Sequence, residues 1–268
     1  MKILALETSA KAASCALVND GVPIATAWQA TGLTHSRTLL PMVQDMLRNS
    51  ELSLSDADAI AVAAGPGSFT GLRIGLASVK GLAWAADKPC IGTSTLESMA
   101  WPLSHMSGII VCAMDARRQQ IYNAVFRAEN GALIRLREER AISLADAAED
   151  LREFTEPLTI VGDGAALACD YFTRAGLSCT LAPAHLRLQS AVGVALAAEA
   201  AGSEALVSFR ISPPTTCGSV RLSGNGWNGK RQKAINNIHD TDRYKKGEHL
   251  PCSAKKSILS TIPCWLTN

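Results

Sequence analysis

Two successive stretches of the sequence repeat one order of elements, three strands followed by helix and strand, and this repetition limits the fold more than any other feature. Short apolar or alternating runs at residues 2–7, 14–18 and 22–28 read as strands. Asn19, Asp20 and Gly21 between the last two are a hairpin signal, so three adjacent antiparallel strands are expected. Leu39, Leu40, Val43, Met46 and Leu47 then recur at helical spacing, with Ser36 expected as the cap and Pro41 inside the helix. A buried strand at 59–64, a helix at 71–86, a strand at 89–92 and a helix at 94–104 complete the first block. The second block opens with strands at 109–114, 121–127 and 132–136. Helices near 143–154 and 164–176 follow, with a strand at 158–161 between them, and the helix 190–201 closes it. The expected class is α/β, a duplicated unit built around mixed sheets flanked by helices.

A chain of 268 residues with 47% apolar residues has the material for one large or two modest cores. No run approaches the roughly 20 apolar residues of a membrane helix, and the start, residues 1–7, carries a charge at Lys2 and shows no signal-peptide order, so a cytoplasmic body without membrane contact is expected. The eight cysteines show neither CxxC nor zinc spacing and read as reduced thiols. Charge is uneven along the chain. Residues 1–209 carry 16 basic and 21 acidic side chains, while residues 210–268 carry 10 and 3. An acidic body lacks the broad positive footprint that a phosphate backbone needs, so direct tight nucleic-acid binding by it is not expected. From Arg210 the apolar periodicity fades and prolines and glycines interrupt every element, which marks 210–268 as a basic, poorly ordered tail.

The segment Gly65-Pro66-Gly67-Ser68-Phe69-Thr70-Gly71-Leu72-Arg73-Ile74-Gly75 lies between strand and helix. Such a turn aims backbone N–H groups from a helix N-terminus and suits an anion, yet it matches neither the Walker nor the dinucleotide pattern. Gly71, Gly75, Ser78 and Gly81 notch the helix that follows, and each interior glycine costs about 1 kcal/mol relative to alanine. Close approach of another backbone would offset that cost, either from the chain's own sheet or from a partner.

Taken whole, the segment resembles the signature of the bacterial TsaB (YeaZ) family, and other segments agree in order. Ile3-Leu4-Ala5-Leu6-Glu7-Thr8-Ser9 is similar to the family's opening strand and turn, with Glu7 where aspartate is usual. His35-Ser36 with Leu39-Leu40-Pro41, Gly81-Leu82-Ala83, and Asp115-Ala116-Arg117-Arg118 with Tyr122 resemble later segments, so the resemblance covers about residues 1–207. It implies an actin-like ATPase fold of two ribonuclease H-like subdomains, placed here at 1–106 and 107–209, the second including the last helix. It also implies a non-catalytic role beside the catalytic paralogue TsaD and the ATPase TsaE in transferring threonylcarbamoyl to a tRNA adenosine. tRNA would be reached through the complex, a homodimer would form without TsaD, and ATP, ADP and metal would belong to the partner proteins.

The resemblance implies a partner surface on the first two helices. His35, Leu39, Val43, Met46, Leu72, Gly75, Ser78, Val79 and Leu82 are its expected members, and Gly75→Glu is expected to abolish pairing without unfolding the subdomain. Glu7, Thr8, Ser9, Gly65, Gly67, Ser68 and Arg73 are the residues expected near an anion or nucleotide. The catalytic paralogue carries two histidines four apart on a helix, where this chain has Thr95 and Met99, and none of its five histidines forms another HxxxH. No GxSxG elbow is present, Ser68 reads as a cap, Cys112 as core, and Asp115 as an interface or ion-pair residue. A nucleotide-using kinase or ATPase of the same fold stands as the alternative, with Asp163-Gly164 its candidate loop in the second half; a metalloprotease-like protein and a stand-alone homodimer are further rivals.

The family usually ends on a short Pro-x-Tyr-Leu-Arg segment, for which this chain offers Ser219-Val220-Arg221-Leu222. The change of texture near Ser208 to Arg210 is compatible with a frame shift, a fusion or divergence.

Overall fold

The computed structural model describes residues 1–207, and the tail 210–268, with its Ser219 to Leu222 segment, lies outside the described residues. The chain begins with β1 (Lys2–Glu7), β2 (Ala13–Asn19) and β3 (Val22–Gln29), then α1 (His35–Asn49), β4 (Ala59–Ala63), α2 (Phe69–Ala86) and β5 (Cys90–Thr93). The first sheet has the order β3-β2-β1-β4-β5. β1 to β3 are antiparallel, while β4 and β5 run parallel to β1. Asp20 and Gly21 both take positive φ, 48° and 74°, as a tight turn matched to the twist of its strands requires.

α3 (Thr95–Ala100) leads to β6 (Gly108–Asp115), β7 (Gln120–Glu129) and β8 (Ala132–Ser143). α4 (Leu144–Asp150), β9 (Leu158–Val161), α5 (Ala165–Arg174), β10 (Cys179–Leu181) and α6 (Ala191–Ala201) follow. The second sheet, β10-β9-β6-β7-β8, repeats the order and sense of the first. The architecture is the α/β actin-like ATPase fold, with two mixed five-stranded sheets of ribonuclease H-like order. Among the described residues no helix is long and apolar enough to cross a membrane.

Alternation along the strands decides which helix covers which face. Leu4, Leu6, Ile60 and Val62 point toward α1 and α2 and join Leu39, Val43, Val79 and Leu82 in one core. Ile3, Ala5, Ala59, Ala61 and Ala63 point the other way and meet Ala191, Val194, Ala195 and Ala198 of α6. Alanines on this face let a helix of small residues settle close to the sheet, so total burial is reached with little volume per residue. In the second sheet Ile109, Val111 and Ile160 pack on α4 and α5, while Ile110, Cys112 and Val161 pack on Leu96, Met99 and Leu103, in and just after α3.

The two sheets thereby exchange helices. α6, which follows the second sheet in sequence, covers the first, and α3, which precedes the second sheet, covers it. A division of the chain between 106 and 107 follows strand connectivity, whereas packing ties the halves together through α3 and α6. Gly193 permits the crossing, since a Cβ there would stand 2.0 Å from the carbonyl oxygen of Ser98.

Several local expectations are corrected. α1 starts at His35 after Thr34, which makes no side-chain cap bond, so Ser36 lies in its first turn. His35 anchors that start, its Nε2 lying 2.8 Å from the Ala10 carbonyl. The helix runs through Pro41 because the carbonyl left without a donor, that of Arg37, is on the exposed side where water reaches it. β8 extends to Ser143, its charged half held by Arg137 and Arg140, which both pair with Asp150. The short edge strand β10 is not evident from the sequence, because three residues carry no period.

Candidate functional site

The glycine-rich segment packs on the chain's own first turn. β4 ends at Ala63, and the chain passes through Gly65 and Gly67, with φ of 126° and 159°, into α2. A Cβ at Gly67 would lie 2.5 Å from the Ser9 carbonyl oxygen, and one at Gly71 would lie 2.0 Å from that of Thr8. At Gly75 it would meet Thr8 Oγ1 at 2.5 Å and Val62 at 3.3 Å. These glycines are therefore required where α2 crosses the β1–β2 turn. Hydrogen bonds fix the approach: Ser68 N–H donates to Ser9 O at 2.6 Å, and the Thr8 hydroxyl donates to Gly71 O at 2.8 Å. Ser68 caps the helix, its Oγ accepting from Gly71 N–H at 3.4 Å. Part of the N–H set expected to face an anion is thus engaged within the protein.

The second half repeats this arrangement. Gly162, Asp163 and Gly164 lead from β9 into α5, and a Cβ at Gly162 would stand 2.1 Å from the Ala113 carbonyl oxygen at the end of β6. In both halves, strand-to-helix glycines seat a helix against the central strand's outgoing turn.

Glu7 occupies the end of β1, fully buried. One carboxylate oxygen accepts from Ser9 N–H, and Oε2 has no partner. Burial pushes its pKa up to about 7, against lowering by the Ser9 and Thr8 hydrogen bonds, and the charge of Asp163 adds to the rise. Gln189, also buried, donates from Nε2 to Asp163 Oδ1 at 3.3 Å. Ser14, opposite Glu7 in the register, accepts from Ala191 N–H at 2.9 Å. Groups from both halves thus enclose the Glu7 end of the first sheet. The sequence marks Glu7, Thr8, Ser9 and Asp163, but it gives no signal for Gln189, an isolated polar residue before a helix.

The residues expected at a partner surface divide into two sets. Leu39, Val43, Met46, Gly75, Val79 and Leu82 are buried in the chain's own core, while His35, Leu72 and Ser78 are half-buried. A charge at Gly75 would collide with Thr8 and Val62, so Gly75→Glu tests folding before it tests pairing; that expectation is corrected. The outward face of α2 instead presents Arg73, Ala77, Gly81 and Trp84, with Trp84 57% exposed. Phe69, equally exposed, lies under the Arg73 guanidinium at 4.8 Å. Leu40 on α1 and Leu33 just before it add exposed apolar surface. A Cβ at Gly81 would meet nothing within 4 Å, so this glycine has no packing reason within the described residues.

Helix α3 holds Thr95 and Met99 at the four-residue spacing, both buried, and Met99 lies in the core under the second sheet. Glu97 between them is engaged by Arg135 at 2.6 Å. Cys112 is fully buried, its Sγ donating to Leu96 O at 3.1 Å and its thiol pushed far up by burial. Asp115 accepts from Arg117 N–H at 2.8 Å and pairs with its guanidinium at 3.4 Å.

Known proteins resemble this chain over most of the described residues. Residues 29–209 match the family described as TsaD, tRNA N6-adenosine threonylcarbamoyltransferase. The tRNA threonylcarbamoyladenosine biosynthesis protein TsaB of Bacillus subtilis (strain 168) is 35% identical over 167 residues, 62% of this chain and 73% of that relative. Its counterpart in Escherichia coli (strain K12) is 44% identical over 134 residues, 49% of this chain and 58% of the relative. The solved structure of YeaZ from Pseudomonas aeruginosa superposes with a TM-score of 0.67 at 27% identity, covering 77% of this chain and 95% of that one. The shared fold, the glycine segment seated on the first turn and these identities have one explanation: the chain belongs to the TsaB (YeaZ) family.

Proposed function

We propose that this chain serves tRNA threonylcarbamoyladenosine biosynthesis as a non-catalytic subunit, docking the outward faces of α1 and α2 on TsaD, with TsaE as the third component. Its place in the pathway follows from family membership. The observation that carries the docking role is the solvent face of α2, where Ala77, Gly81 and Trp84 form a small-residue groove beside a large aromatic. A glycine that no internal contact requires, next to an exposed tryptophan, suits close approach of a second helix, and buried tryptophans dominate interface energies. Leu40 and Leu33 widen the apolar area, and Arg73 supplies a charge at its rim.

In this reading α3 has a packing role, Thr95 and Met99 being directed into the fold, and transfer chemistry with its metal and nucleotide belongs to the partners. tRNA is reached through the complex, in the cytoplasm. Without TsaD the same face pairs with a second copy.

Mixing the purified chain with TsaD and measuring mass by light scattering tests the surface. The expected result is a stable hetero-complex whose Kd rises about 30-fold or more in Trp84→Glu, the loss of a hot spot of about 2 kcal/mol. The thermal midpoint of the isolated variant stays near that of the parent, because the side chain is mostly in water. Unchanged pairing by both Trp84→Glu and Gly81→Glu would exclude this face.

A further inference from the structure

At the outer edge of the second sheet, α5 and β10 bring two cysteines into contact. Cys169 and Cys179 lie with their Sγ atoms 3.4 Å apart, and each is partly exposed. The Cys179 thiol also faces the Cys169 carbonyl at 3.4 Å, and the Thr173 hydroxyl, which donates to that carbonyl at 2.8 Å, lies 3.3 Å from Cys179 Sγ. The other described cysteines, Cys15, Cys90 and Cys112, are buried in the cores. Backbone register sets the encounter: Cys179 pairs with Leu158 at the start of β10, and Cys169 is on the α5 turn that covers it. A disulfide holds its sulfurs about 2.05 Å apart, so the two sulfurs need approach by little more than an ångström to be joined.

We propose that Cys169 and Cys179 form a modification site, a thiol pair that exchanges with low-molecular-weight disulfides of the glutathione type and closes to a disulfide between α5 and β10. In the first exchange a protein thiolate attacks a sulfur of R–S–S–R, forming a mixed disulfide and releasing one R–S⁻. In the second, the neighbouring protein thiol loses its proton and displaces the other R–S⁻. Two protein thiols are oxidised, one small disulfide is reduced, and the two protein S–H protons end on the two released thiols. Burial, with the Cys179 sulfur adding to it, pushes the Cys169 thiol up to about 11, which keeps it mostly protonated near neutral pH and disfavours it for the first attack. The product tethers a three-residue edge strand, which among the described residues is bonded within its sheet only along β9, to the helix above it. This site is independent of the proposed docking role.

The test is peptide mapping of the full folded chain after incubation with glutathione disulfide. Trypsin cleavage at Arg152, Arg174 and Arg187 puts Cys169 and Cys179 on different peptides, 153–174 and 175–187, and separates both from Cys217, Cys252 and Cys264. The expected product is a linked 153–174/175–187 pair, released by dithiothreitol and at least tenfold more abundant than any other cysteine pairing. In Cys169→Ser the expected product is a glutathione adduct left on Cys179. Recovery of both peptides as free thiols would overturn the proposal. So would unlinked glutathione adducts in the parent chain at the level found in Cys169→Ser.

Discussion

Glu7 is where burial and titration meet most directly. It sits fully buried with one oxygen unpartnered, and its pKa rises from the ordinary 4.5 to about 7. The folded state therefore holds this proton in a range where the unfolded chain has released it. Between about pH 4.5 and 7 stability falls as pH rises, and the loss is complete above the folded value, by at most about 3 kcal/mol. Glu7→Gln keeps an acceptor for Ser9 N–H and removes the titration. We expect its thermal midpoint to lose most of the parent's decline between pH 5 and 8 and to lie above the parent's at pH 8; scanning calorimetry across that range checks both. Glu7 was legible from the sequence as an acid at a strand end. Its neutral tendency was not, because the burial that chiefly raises its pKa, and the lesser push from Asp163 in the other half of the chain, arise only once the chain has folded.

Helix α2 separates the two reasons for a helical glycine. Gly71 is buried against the Thr8 carbonyl, whereas Gly81 faces open space. Gly71→Ala is expected to cost about 3 kcal/mol or more, because backbone on both sides must move. Gly81→Ala is expected to stabilise the isolated chain by about 0.5–1 kcal/mol through helix propensity while weakening TsaD binding by filling the notch. Thermal melts of the two variants, run beside a binding titration, check the pair of outcomes. The same contrast explains which part of the site was readable. A search for an apolar helical stripe finds the face with the strongest period, which in α1 and α2 packs on the sheet. The outward face mixes Arg73, Ala77, Lys80, Gly81 and Trp84, so its small-plus-aromatic pattern becomes visible only after the inward face has been assigned.

Across the whole molecule, the strands and their antiparallel neighbours were well foreshadowed, because central strands buried on both faces read as continuous apolar runs and hairpin turns carry their own residue chemistry. The exchange of α3 and α6 between the sheets was hidden. Local pattern places a helix beside its sequence neighbours, whereas burial places α6 on the alanine face of the first sheet, with Gly193 clearing the backbone of α3. That crossing packs α6 against α3 between the two sheets, while α1 and α2 cover the other face of the first sheet and turn their outward faces to solvent. In the proposed role this chain supports a transferase and does not itself transfer. The most direct measurement is threonylcarbamoyl incorporation into tRNA by TsaD and TsaE, with and without the chain, and with Trp84→Glu in its place. Modification is expected to require the parent chain, to fall sharply with Trp84→Glu, and to be missing when the chain acts alone. Transfer by the isolated chain, or equal modification by TsaD and TsaE in its absence, would contradict that role.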